Sequence, residues 1–145
     1  MHHNVGFNVN AAIMQKGDDH QCINNTAFNN SNNGIIILSD NVSTNSGTVV
    51  RNNVAERIGS HRKNNVPLTE VMDHSHNWNG YEYGSADIST VLRDPDNLDF
   101  RPKPNSILID NGKSEGLITV GYVGMAPDIG AVSYTHLTLP TMAIV

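Results

Sequence analysis

Apolar residues in this chain come in short runs, set apart by clusters of Asn, Gly and Ser. One phrase recurs four times. It reads His2-His3-Asn4-Val5-Gly6-Phe7, then Ile23-Asn24-Asn25-Thr26-Ala27-Phe28, then Arg51-Asn52-Asn53-Val54-Ala55, then Ser75-His76-Asn77-Trp78. Asn4, Asn25, Asn53 and Asn77 hold the same place in each, at spacings of 21, 28 and 24 residues. The β-branched and aromatic residues bounded by turn formers predict a strand that ends in a tight turn. A second apolar run follows each of the first two phrases, at Ala12-Ile13-Met14 and at Gly34-Ile35-Ile36-Ile37-Leu38. Two or three strands per repeat therefore stack on those of the next. Neither a 3.6-residue period nor Leu at fixed steps is present, which excludes helical and leucine-rich repeats.

Asparagine suits a bend between strands, because it takes positive φ at less cost than most other residues. Stacked Asn amides can also bond to one another in a ladder. The four asparagines are therefore expected to hold the repeats together. Ile13, Cys22, Phe28, Ile35, Ile37 and Val50 are expected in the core, with Cys22 and Val50 at one position of successive repeats. Ile107, Ile109 and Ile129 are expected to pack onto the end of the stack. Residues 56–72 and 79–96 read as loops.

Composition agrees with strands and turns. The chain has 145 residues, 20 of them Asn, and only 16% are charged. The net charge of −5 argues against a nucleic-acid partner, which needs clustered Lys and Arg. No stretch is long and apolar enough to span a membrane. Residues 132–145 resemble a translated transposase-type sequencing adapter from Val132 to Thr141 and are expected to be a non-native tail. The chain also enters its first phrase without a capping element, so it is expected to be a fragment, inactive and poorly soluble alone.

The repeats, together with Asp99-Phe100-Arg101-Pro102-Lys103-Pro104-Asn105-Ser106-Ile107-Leu108-Ile109-Asp110-Asn111-Gly112 and Ala126-Pro127-Asp128-Ile129-Gly130-Ala131, resemble the right-handed parallel β-helix family, the pectate-lyase-like superfold. The two later segments are similar to the closing phrase of many such proteins. The resemblance implies an all-β solenoid of about four coils over residues 1–96, with loop insertions, and an irregular closing segment over 97–131. It further implies a monomeric, extracellular or cell-surface protein that binds or processes polysaccharide, as a uronate-glycan lyase or a glycoside hydrolase. The alternative is a non-catalytic, adhesin-like structural solenoid.

Candidate chemistry is sparse. Lys16-Gly17-Asp18-Asp19-His20 is the densest polar cluster. Lyases of this resemblance combine Ca²⁺-binding carboxylates with a basic residue that removes a proton beside the uronate carboxylate. Lys16 and His20 are thus the candidate catalytic residues, and Asp18 and Asp19 the candidate Ca²⁺ ligands. Two adjacent Asp residues on a strand point to opposite sides, so a solvated turn is the stronger reading. Trp78, Tyr81 and Tyr83 are candidates for stacking on sugar rings, with Trp78 also suited to cap the last coil. His3 and His76 lie three rungs apart, roughly 14 Å, too far to share a metal. Cys22, the sole cysteine, reads as a core residue. Sequons at Asn24, Asn29 and Asn41 are as frequent as chance allows in so Asn-rich a chain.

Overall fold

The computed structural model describes residues 1–31, 34–38, 46–59 and 73–131. The predicted tail at 132–145, the sequon Asn41 and most of the 56–72 segment lie outside the described residues. The described chain is dominated by short strands: β1 (Val5–Phe7), β2 (Ile13–Lys16), β3 (Gln21–Ile23), β4 (Thr26–Phe28), β5 (Ile35–Leu38), β6 (Val49–Arg51), β7 (Val54–Ala55), β8 (Ile58–Gly59), β9 (Asp73–Ser75), β10 (Trp78–Asn79), β11 (Leu92–Asp94) and β12 (Asp99–Pro102). Among the described residues the helical pieces are 3-10 turns of three or four residues.

Ten of these strands form three parallel sheets, ordered β1-β4-β7-β10, β2-β5-β8 and β3-β6-β9. The chain visits the three sheets in the same order in each repeat. The register matches the phrases residue by residue: Val5 pairs with Thr26, Thr26 with Val54, and Val54 with Trp78. Cys22 pairs with Val50, as their shared position predicts. Residues 56–59 are not loop throughout, because Ile58–Gly59 is the third strand of its sheet, beside Ile35 and Ile36. Nor is 79–96 one loop: it holds 3-10 turns and β11, which pairs antiparallel with β12. That hairpin crosses the predicted boundary at 96/97.

Strand alternation divides the apolar residues between two clusters. Ile13, Cys22, Ala27, Ile35, Ile37, Val50, Ala55 and Ile58 face the space between the three sheets. That interior is narrow, and small residues fit it: a Cβ on Gly34 would lie 2.7 Å from the Ala27 Cβ. The opposite face of the β1-β4-β7-β10 sheet carries Phe28, Val54 and Trp78. Ile88, Val91, Leu92, Phe100, Leu108 and Ile129 cover it, with Val5 and Phe7 at the margin.

This arrangement corrects the expectation that the closing segment packs onto an end. It lies along a sheet face instead. Ile129 is buried there, but Ile107 is 51% exposed and Ile109 only half-buried, while Leu108 between them is fully buried. The cause is local. Residues 103–109 form successive turns, with the Ser106 N–H on the Lys103 carbonyl and the Ile109 N–H on the Ser106 carbonyl. The two-residue alternation of a strand is therefore absent, and one side chain alone reaches the core.

The asparagine column is a continuous ladder. The Asn4 backbone N–H and Nδ2 both donate to the Asn25 Oδ1, each at 3.0 Å. Asn25 donates in the same way to Asn53 at 3.0 and 2.9 Å, and Asn53 to Asn77 at 2.9 Å for both bonds. Each Nδ2 also reaches a backbone carbonyl, those of His2, Ile23, Cys22 and Val50 in turn. The positive φ, however, falls one residue earlier than expected. His3, Asn24, Asn52 and His76 adopt φ of 53, 52, 57 and 56°. The bend and the ladder are divided between adjacent positions, and each Asn-Asn pair serves both.

Candidate functional site

Lys16 ends β2 and Gly17 to His20 form the turn to β3, which is engaged with the chain 28 residues on. An Asp18 Oδ1 accepts the Ser46 N–H at 2.7 Å. The Asp19 N–H donates to the Ser46 carbonyl at 2.8 Å, with Asp19 itself at φ 58°. Asp18 and Asp19 thus sit in a bend, off the strand, and Asp18 is tied to backbone. The His20 N–H bonds to the Thr48 hydroxyl at 3.2 Å, and its Nε2 meets the Lys16 carbonyl at 2.8 Å. A nitrogen facing a carbonyl carries the proton, which leaves Nδ1 as the basic one. Among the described residues no group of three or more His, Cys, Asp or Glu is placed to hold a metal ion.

The predicted aromatic residues separate. Trp78 is 3% exposed within the face cluster, stacked against Tyr83 with ring centroids 5.9 Å apart and planes at 10°. Tyr83 keeps 53% of its surface in solvent and Tyr81 keeps 43%. Tyr81 stands on the 3-10 turn Gly80–Tyr83, which follows β10 directly. Its N–H bonds to the Glu56 carbonyl at 3.0 Å, which pulls this turn against the chain leaving β7. Gly80 is required there, because a Cβ would come within 2.6 Å of the Ala86 carbonyl oxygen and 3.0 Å of that of Glu56.

Between these segments runs a groove of about 420 Å³, lined by Asn30, Ser31, Glu56, Arg57, Tyr81 and Asp87, with Ser85 and Ala86 along one wall. The Arg57 guanidinium lies over the Tyr81 ring, 4.6 Å from its centroid. The Asn29 N–H donates to Glu56 Oε2 at 2.9 Å. Burial, and secondarily the charge of Asp87, push the Glu56 carboxyl above the usual carboxylate range, against the Asn29 hydrogen bond. Asp87 is pulled the other way, because the Ser89 hydroxyl and N–H both bond to its carboxylate. Asn30 accepts the Val9 N–H at 3.3 Å, but its buried Nδ2 has no hydrogen-bond partner among the described residues.

Glu56, Arg57, Asn30 and Asp87 carry no motif and were not among the sequence candidates. One signal was present. Continuing the register, Glu56 stands where Phe28 and Phe7 stand in the preceding repeats, a carboxylate in an aromatic column.

A second cleft, of about 240 Å³, opens beside the last repeat between His74, His76, Asn77, Asn79 and Glu82. His3 lies elsewhere, its Nδ1 3.1 Å from that of His2, and burial lowers its pKa. Asn24 is 4% exposed, so that sequon is closed to modification. No helix among the described residues is long and apolar enough to cross a membrane. No protein-family model matches the sequence, and no curated protein or solved structure matches it either.

Proposed function

We propose that the chain builds successive coils of a right-handed parallel β-helix and binds polysaccharide outside the cell, in the groove beside Tyr81. The coil reading is supported by three parallel sheets visited in constant order and by the Asn ladder along their corner. The binding reading rests on one observation above all: an exposed aromatic ring borders a polar groove furnished with both donors and acceptors. Sugars are recognised in that way, with apolar C–H faces on an aromatic ring and hydroxyls on polar groups.

Lyase chemistry would use Lys16 or His20 as base and Asp18 and Asp19 as ligands of Ca²⁺. The bonds from Asp18 to Ser46 and from His20 to Lys16 give these side chains structural work. Binding therefore ranks ahead of lyase action. The same bonds favour the second reading, a non-catalytic solenoid that presents contacts along its length.

Affinity electrophoresis of the full chain through neutral, uronate and amino-sugar polysaccharides tests the proposal. Retardation by at least one class is expected, with Tyr81→Ala abolishing it. Retardation that requires Ca²⁺ would bring Asp18 and Asp19 back as its ligands. Mobility unchanged by every polysaccharide would overturn glycan binding in favour of the scaffold.

A further inference from the structure

The groove beside Tyr81 carries information about the charge of its ligand. Among the described residues, two carboxylates, Glu56 and Asp87, line it together with one cation, Arg57. Arg57 is drawn onto the Tyr81 ring. Glu56 is held at Oε2 by the Asn29 N–H, and Asp87 by the Ser89 N–H at 2.7 Å. Each carboxylate is thus fixed in place through a bond to backbone, and Asp87 is bonded by the Ser89 hydroxyl as well. Burial above all, with like-charge repulsion from Asp87 added to it, raises the Glu56 carboxyl, while the Ser89 hydrogen bonds hold Asp87 below the usual carboxylate range. A ligand cation would remove the repulsion, whereas a ligand carboxylate would add to it. Asn30, whose buried Nδ2 has no partner among the described residues, lines the same groove.

Resting on the glycan-binding reading, we propose that the ligand is a glycan containing amino sugars. Its ammonium sits between Glu56 and Asp87, and its ring lies against Tyr81. Glu56 and Asp87 then set specificity, rejecting uronate-rich chains by charge and accepting de-N-acetylated hexosamine. The neighbouring Arg57 confines the ammonium to the acidic side, so the ring is bound in one orientation.

Calorimetric titration of the full chain with glucosamine oligomers, N-acetylglucosamine oligomers and galacturonate oligomers tests this. The glucosamine oligomers should bind most tightly. Glu56→Gln and Asp87→Asn, which keep acceptors for the Asn29 and Ser89 N–H groups, should each weaken that binding about tenfold, the scale of one charge-assisted hydrogen bond. Asp96→Asn, which removes an equal charge from the hairpin turn elsewhere, should leave it unchanged. An equal loss in Asp96→Asn would mean that only net charge attracts the oligomer, and would overturn the proposal. Tighter binding of the galacturonate or acetylated oligomers would also overturn it while leaving glycan binding intact. Binding of no oligomer by the wild-type chain would reject both.

Discussion

The side-chain amide of Asn79 pairs with the backbone of Ile58 as a neighbouring strand would. Its Oδ1 accepts the Ile58 N–H at 3.1 Å and its Nδ2 donates to the Ile58 carbonyl at 3.1 Å. The sheet β2-β5-β8 has only three strands, and β8 is its last. An edge of this kind exposes backbone groups that other chains can pair with. Here one asparagine from β10 occupies that edge at Ile58, the first of its two residues.

Asn79→Leu should therefore destabilise the protein by about 2 kcal/mol or more, because two buried backbone groups lose their partners. Asn111→Leu is the control. Asn111 is exposed and donates only to the Ile109 carbonyl, so its replacement should cost well under about 1 kcal/mol. Thermal denaturation of the two variants checks the difference. Equal melting temperatures would show that the edge cap is dispensable.

The ladder gives a graded prediction. Asn53 is completely buried, accepts from Asn25 twice, and donates to Asn77 and to the Cys22 carbonyl. Asn4 is exposed, and among the described residues its side chain only donates. Asn53→Ala should cost about 3 kcal/mol or more through stranded donors and acceptors, and Asn4→Ala about 1 kcal/mol or less. Asn53→Asp should be worse than Ala at neutral pH, since it buries a charge facing the Asn77 and Cys22 oxygens. Chemical denaturation measures all three. A similar cost at Asn4 and Asn53 would deny that burial sets the value of a rung.

Much of this architecture was legible, for a physical reason. Parallel stacking places equivalent residues at one register, so Asn25 above Asn53 and Cys22 beside Val50 appear in the sequence as a repeat. The closing segment was read less well. Leu108, Ile107 and Ile109 look alike in sequence, and only the turns set by Lys103 and Ser106 decide which one turns inward. The groove was the least legible part. Glu56 and Asp87 lie 31 positions apart and meet only because Gly80 lets the turn after β10 approach the chain leaving β7. No local pattern encodes that approach, although Glu56 does break an aromatic column.

Cys22 predicts a pH dependence. Burial first of all pushes its thiol from 9.0 up to about 12. Above pH 9 the unfolded thiol loses its proton while the folded one keeps it. The folded state then binds more protons, so rising pH favours unfolding. Through the window from about 9 to about 12 this one group should lower stability with a slope approaching ~1.4 kcal/mol per pH unit. Cys22→Ala costs packing at every pH but lacks this slope. The stability gap between wild type and Cys22→Ala, measured by urea denaturation, should stay constant below pH 9 and narrow above it. A constant gap to pH 11 would contradict the buried-thiol assignment.

The closing segment hangs on Asn52. Its Nδ2 donates to the Lys113 carbonyl at 2.7 Å and its Oδ1 accepts the Lys113 N–H at 2.7 Å, a second amide acting as a strand. Its carbonyl also accepts the Gly130 N–H at 2.7 Å, and Asn24 bonds the carbonyls of Asp128 and Gly130 beside it. Asn52 has φ 57°, so two effects must be separated. Asn52→Gly keeps that conformation without strain and removes only the amide. Asn52→Ala removes the amide and adds the cost of the left-handed region, about 1–2 kcal/mol. The Gly variant should already free Lys113 and speed limited proteolysis between Gly116 and Met125, where Leu117 and Met125 are almost fully exposed. The Ala variant should be cut faster still and should also melt lower, since its strain falls on the bend between two sheets. Wild-type cleavage rates in Asn52→Gly, with loss only in Asn52→Ala, would assign the role of Asn52 to backbone conformation and leave the amide pair with Lys113 without effect.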